Sequence, residues 1–317
     1  MLLLNLLLFL VSLVVLVKSA EYAVNYSSRL ARAFHISEFI VSFFIISVIS
    51  VFPEATVSIV SAFQGIPEFG LGTLLGSNVA DLSLVFGIVA IFSAKGVAVK
   101  SEILKNDLLY LVLLLVPIVL GFDGNLSRVD GFLLVLSGVV FFLTLSIESK
   151  MFKKKFDDSK AKKDRRWVKN MLLLIVSLSF LIAGAYYTVK FGVDFANDVN
   201  IPPFLVALTM VAIGTCLPEL IFSLRAVKTR HDELALGDIL GTVITDATII
   251  VGVIALIRPF SFNPMIIYVT GAMMFIAGVL AIAFIRSGKI LTKKEGIYLL
   301  MFYIISLIIG FVVNHAA

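Results

Sequence analysis

The chain has 317 residues, 60% of them hydrophobic and 15% charged, with a formal net charge of +5 and a mean hydropathy of +1.08. Soluble domains run at about 45–50% apolar and about 25% charged, so this composition excludes a disordered chain and a soluble globular domain alike. The single cysteine, Cys216, excludes a disulfide scaffold.

What remains is a polytopic membrane protein, and the positive charge is read as membrane topology rather than nucleic-acid affinity. A bilayer-crossing helix needs about 20 mostly apolar residues. In chain order the candidates are 2–17, 39–63, 71–93, 107–121, 130–147, 171–189, 203–227, 234–257, 264–285 and 296–313. Runs such as LLLNLLLFLVSLVVLV do not alternate as barrel strands do, so the expected fold class is all-α with ten transmembrane helices. No Lys or Arg precedes the first run, the first being Lys18, which predicts a retained helix rather than a cleaved signal. With the N-terminus outside, alternation puts 23 of the 26 Lys and Arg on the inner side and leaves only Arg128, Lys190 and Arg258 outside. This is the asymmetry of the positive-inside rule, and it predicts both termini outside; the plasma membrane is the location expected if the chain comes from a prokaryote. The basic segment 149–169 becomes a cytoplasmic linker that fixes topology, with contact to anionic lipid headgroups as an addition.

Sliding the chain against itself by 165 residues superposes Pro53 on Pro218, Glu54 on Glu219, Ser58 on Ser223, Gly72 on Gly237, Gly76 on Gly241, Asp81 on Asp246 and Gly87 on Gly252, with no gap from 39 to 92. The matched helices lie five spans apart, an odd number, so the second copy is inverted in the membrane. The expected organisation is a first five-helix repeat at 1–148, the linker at 149–169 and an inverted repeat at 170–317. Secondary transporters are often built this way, with the substrate site near the midplane between the repeats.

Four acids fall deep within spans: Glu54, Asp81, Glu219 and Asp246. A charged Asp at a helix centre costs roughly 2.5–3.5 kcal/mol on insertion scales, and no Lys or Arg lies deep enough to pair with all four. Each acid has a hydroxyl four residues earlier, on the same helix face: Ser50, Ser77, Thr215 and Thr242. Carboxylates and hydroxyls are what hard cations require. Pro53 and Pro218 each remove a helical donor, which frees backbone carbonyls nearby. His35, His231 and His315 sit at helix ends and read as ordinary surface residues. Without a His–Cys cluster, a phosphate-binding loop or a nucleophile–base set, no soft metal, cofactor, ATP drive or enzymatic activity is expected, nor a required protein partner. Asp238 adds an acid one turn before Thr242, opposite Thr73, with no role assigned by the pattern.

These residues resemble the cation/calcium antiporter superfamily, especially its archaeal and bacterial sodium/calcium exchangers. That family carries G-T-S-x-P-E on one helix and G-S-N-x-x-[DN] on the next, twice. Here the second copy reads GTCLPE (214–219) and GDILGTVITD (237–246), and the first reads ISVFPE (49–54) and GTLLGSNVAD (72–81). The resemblance implies an antiporter moving calcium against sodium, or against protons in some branches. It implies Glu54 and Glu219 as central calcium ligands, with Asp81 and Asp246 at the flanking positions. Ser50, Ser77, Thr215 and Thr242 become hydroxyl ligands, and the carbonyls of Ser47 and Ala212 backbone ligands for sodium. It also implies that helices 1 and 6 move while the rest stays rigid. Val51 and Cys216 stand where the family usually has Ser, and Ile49 where it has Gly. Two oxygen ligands are therefore missing, four acids replace a mixed Asn/Asp pattern, and proton coupling stays open beside sodium coupling.

Overall fold

Lipid offers no partners for backbone N–H and C=O groups, so a chain this apolar satisfies them within helices. The computed structural model describes residues 1–33, 50–93, 96–98, 107–150, 167–229, 232–288 and 290–316. Its helical rods are α1 (Leu2–Ala33), α2 (Phe52–Phe63), α3 (Pro67–Phe92), α4 (Asp107–Leu120), α5 (Arg128–Lys150), α6 (Trp167–Asp198), α7 (Pro203–Lys228), α8 (232–257), α9 (Pro264–Gly288) and α10 (Lys293–Ala316). Seven helices among the described residues are long and apolar enough to cross a membrane; the stretches in α2 and α4 are shorter, and α5 is not among the seven. The first half of the expected second span, with Ser47, Ile49 and His35, lies outside the described residues, as do His231 and most of the basic linker.

The observed helices differ from expectation in two respects. First, α1 and α6 are each 32 residues long, well beyond the runs 2–17 and 171–189. At 1.5 Å per residue each is roughly 48 Å, longer than the hydrocarbon layer of about 30 Å, which a helix accommodates by tilting. Polar residues such as Lys18, Glu21 and Asn25 hid this extension from a reading of apolar runs. Second, the helices are joined at four places by two-residue strands: β1 (Val97–Ala98) pairs antiparallel with β4 (Ile290–Leu291), and β2 (Asn125–Leu126) with β3 (Phe260–Ser261). The turns into β1 and β2 use Gly96 and Gly124 at φ +80° and +76°, a conformation open to glycine at no steric cost.

The 165-residue shift carries through this architecture well past residue 92. It takes β2 onto β4 and brings β1 to within two residues of β3. It takes the capping box that starts α5, where the Ser127 N–H donates to Asp130 at 2.8 Å and the Asp130 N–H to Ser127 Oγ at 3.3 Å, onto that of α10. There the Thr292 N–H donates to Glu295 at 2.7 Å and the Glu295 N–H to Thr292 Oγ1 at 3.3 Å. It also relates two backbone crossings. A Cβ at Gly87 would lie 2.8 Å from the Gly296 carbonyl, and one at Gly252 would lie 2.6 Å from that of Gly131. Without a hydrophobic driving force between helices in lipid, such close approaches through small residues are what hold them together.

Two separate apolar clusters form. One spans α2–α5 and α7–α10. The other joins α1 to α6 through Phe9, Leu13, Leu16, Leu181, Ala185 and Val189, with Leu16 backbone against Gly184. The α1–α6 pair thus has a core of its own, resting on Phe69, Val206 and Val211 of the other helices.

Candidate cation site

Pro53 and Pro218 do what their chemistry predicts. The rods are broken just ahead of them, at Val51 (φ −67°, ψ −13°) and Cys216 (φ −72°, ψ −4°), two positions related by the 165-residue shift. The facing helices α3 and α8 carry a matched irregularity: each widens into a π-helical turn at its acid, Asp81–Val85 in one and Thr245–Ile250, which holds Asp246, in the other. Such π turns recur at functional sites. Of the glycines singled out by the sequence, Gly72 and Gly76 pack on α7, a Cβ at Gly72 falling 2.8 Å from the Phe204 carbonyl and one at Gly76 colliding with the Leu208 carbonyl. Gly237 has nothing within 4 Å among the described residues.

Glu54, Asp81, Glu219 and Asp246 are all completely buried, as are Ser77, Thr215 and Thr242, and Ser50 is 8% exposed. The acids sense one another electrostatically across the two repeats. The hydroxyls predicted to share a stripe with the acid on their own helix divide: Ser50 and Ser77 reach acids of the opposite repeat, Thr215 closes on its own helix, and Thr242 has no partner among the described residues. Ser77 Oγ donates to Asp246 at 3.2 Å. Thr215 lies beside Glu54 while its hydroxyl donates to the Ala212 carbonyl at 3.2 Å. Ala212 is buried, and the same carbonyl accepts the Cys216 N–H at 3.1 Å. Cys216 lines the site: its sulfur lies 3.6 Å from the Ser77 carbonyl and beside Asp81. Val51 is buried and brings no oxygen.

The structure gives surroundings to Asp238 and Asn78, which the sequence already showed, and adds Tyr303, which it did not. Asp238 is a fifth buried acid, 3% exposed, and accepts a hydrogen bond from Ser50 Oγ at 2.7 Å. It shares with the other four the signal of a hydroxyl four residues away, here Thr242 on its C-terminal side. Asn78 is fully buried, its amide on the Met274 sulfur at 3.4 Å. Tyr303 lines a cavity with Gly76, Thr270 and Ser306 and lies within electrostatic reach of Asp81 and Cys216. Nothing in the motif spacing marks Tyr303, which sits on the last helix.

Among the described residues, eight of the ten carboxylate oxygens of the five acids are buried without a hydrogen-bond partner, as is Thr242 Oγ1. No Lys or Arg stands within ion-pair distance of them among the described residues. Burying an ion away from water costs several kcal/mol, and orphaned carboxylates at this density call for cations or protons. The acids are spread over facing helices; among the described residues no three His, Cys, Asp or Glu side chains already converge as a metal cluster.

Residues 4–147 and 169–312 match the family described as sodium/calcium exchanger protein. The sodium/calcium exchanger MaX1 of Methanosarcina acetivorans is 28% identical over 97% of this chain and 98% of its own. An uncharacterized membrane protein of Methanocaldococcus jannaschii is 30% identical over 94% of this chain and 95% of its own. Among solved structures, the sodium-calcium exchanger NCX_Mj, soaked with 10 mM Na+ and no Ca2+, superposes with a TM-score of 0.67 at 27% identity, covering 97% of this chain and 99% of that one.

Proposed function

The chain belongs to the sodium/calcium exchanger protein family, and from that premise we propose that it is a secondary antiporter exchanging calcium for sodium at a site near the membrane midplane. The observation that carries this reading is the set of buried, unpaired carboxylates on facing broken helices. In this reading ten spans form two inverted five-helix repeats, residues 1–148 and 170–317, in a plasma membrane with both termini outside and the basic linker 149–169 in the cytoplasm.

The ligand set is the one that the family motif implies, and its oxygens suit hard cations. Glu54 and Glu219 provide the central oxygens for calcium, Asp81 and Asp246 flank them, Ser50, Ser77, Thr215 and Thr242 add hydroxyls, and the carbonyls of Ser47 and Ala212 serve sodium. Calcium and sodium compete for this shell because each relieves the same negative charge. The empty site carries that charge uncompensated through lipid, so only loaded states cross and exchange is obligatory. The α1–α6 pair is the moving part in this mechanism. Its separate core supports that role, as does Leu13 of α1 resting on Gly214, one residue from Thr215.

The deciding measurement is calcium-45 uptake into proteoliposomes with sodium and proton gradients imposed separately. Uptake is expected with an outward sodium gradient alone. Uptake with a proton gradient alone would replace sodium by protons as the coupling ion, a reading that the missing hydroxyls at Val51 and Cys216 favour. No uptake with either would overturn calcium antiport. Val51→Ser restores one hydroxyl at the break and is expected to lower the sodium concentration for half-maximal exchange by about threefold, on the scale of one added hydrogen-bonding oxygen; an unchanged sodium dependence would remove Val51 from the explanation.

A further inference from the structure

The two repeats diverge at one point inside the site. The shift that superposes the other acids puts Asp238 of α8 opposite Thr73 of α3. The Thr73 hydroxyl is closed on its own helix, donating to the Phe69 carbonyl at 3.1 Å. Asp238 instead reaches across to the first repeat and takes the Ser50 hydroxyl at 2.7 Å. Ser50, in turn, differs from its counterpart Thr215, which donates to its own helix at Ala212.

Among the described residues Asp238 Oδ2 is left buried and without a partner, as are both oxygens of Glu54, one turn beyond Ser50. The two acids lie within electrostatic reach of each other. At the break between Ser50 and Glu54 the side chain is Val51, buried and without oxygen. A fifth carboxylate therefore enters the site on the side where the helix itself offers least.

We propose that Asp238 completes, with Ser50 and Glu54, the position of a hard monovalent cation within the site, supplying from α8 the oxygen that Val51 does not. The inference rests on the antiport reading and adds a ligand to it. Calcium takes six to eight oxygens, whereas this corner holds three side-chain groups: the Ser50 hydroxyl, the free Asp238 oxygen and a Glu54 oxygen. That number suits a singly charged ion whose shell is completed by water or backbone carbonyls.

The test uses the full chain in proteoliposomes, counting sodium-22 moved per calcium-45, for wild type, Asp238→Asn, Asp238→Glu and Asp238→Thr. The last copies the first repeat. Asp238→Asn and Asp238→Thr are expected to move about one sodium fewer per calcium, with the half-maximal sodium concentration raised about tenfold. Asp238→Glu is expected to keep the wild-type ratio. An unchanged ratio and sodium dependence in both Asn and Thr variants overturns the proposal. Should wild type show no sodium-dependent calcium exchange, the antiport reading fails separately. Equilibrium binding of sodium-22 to the purified proteins then decides the cation position: one bound ion fewer in Asp238→Asn supports it, and equal numbers overturn it.

Discussion

Glu54→Gln and Glu219→Gln are each expected to cut calcium-45 exchange by more than about 100-fold while leaving a folded, monodisperse protein. The estimate follows from position: groups one shell removed from a metal already cost about 10–100-fold in affinity when mutated, and these two acids are proposed to touch the ion. The fold should survive because neither carboxylate has a hydrogen-bond partner to lose. Each buried acid is uncompensated without an ion, and glutamine of the same size removes a charge whose burial is itself costly. The apparent melting temperature in calcium-free detergent is thus expected to stay equal or rise, while protection by added calcium disappears. Normal exchange in both variants would sink the site assignment. A collapse of the fold in both would mean that the carboxylates hold the helices together rather than an ion.

The largest effect on stability is expected at the backbone crossings. Gly252→Leu places a Cβ 2.6 Å from the Gly131 carbonyl and 2.8 Å from Val135, where real side chains do not fit and α5 must move away from α8. Overpacking of this kind costs about 1–3 kcal/mol, which for a chain of this size corresponds to a drop of roughly 2–5 °C in the unfolding midpoint. Gly87→Leu should act alike through Gly296. Gly288→Ala is the control: nothing lies within 4 Å of its added Cβ, so the midpoint should stay or rise slightly. Equal behaviour of Gly252→Leu and Gly288→Ala, read by thermal unfolding in detergent, would show that the crossing contributes nothing.

The repeat was legible in the sequence only where it uses rare residues. Pro53 with Pro218, and the acids with their hydroxyls, stand out because lipid-embedded helices seldom carry them. The same shift continues through the capping boxes at Ser127 and Thr292 and the crossings at Gly131 and Gly296, yet these are hard to see in a string. Ser against Thr and Asp against Glu are chemical matches without identity, and a single glycine match is common. Helix ends were misplaced for a related reason. Apolar runs mark where a helix meets lipid, not where its hydrogen bonds stop, so α1 and α6 continue through Lys18 and Lys190.

Composition and the doubled motif by themselves determined that this is a membrane protein of helices, that its rare residues recur at a fixed shift, and that acids with hydroxyls four residues away lie within its spans. Those are properties of single helices and of residue types, and they are written locally. Which groups meet was decided only by tertiary structure. Periodicity placed Ser77 with Asp81 and Thr215 with Glu219; packing of the repeats turned Ser77 to Asp246 and set Thr215 beside Glu54. It likewise brought Ser50 to Asp238, 188 positions away, and Tyr303 near Asp81. The reason is physical: a helix period specifies which side chains share a face, whereas the partner across the interface depends on how two helices cross, and that is set by where glycines let them approach and where they break.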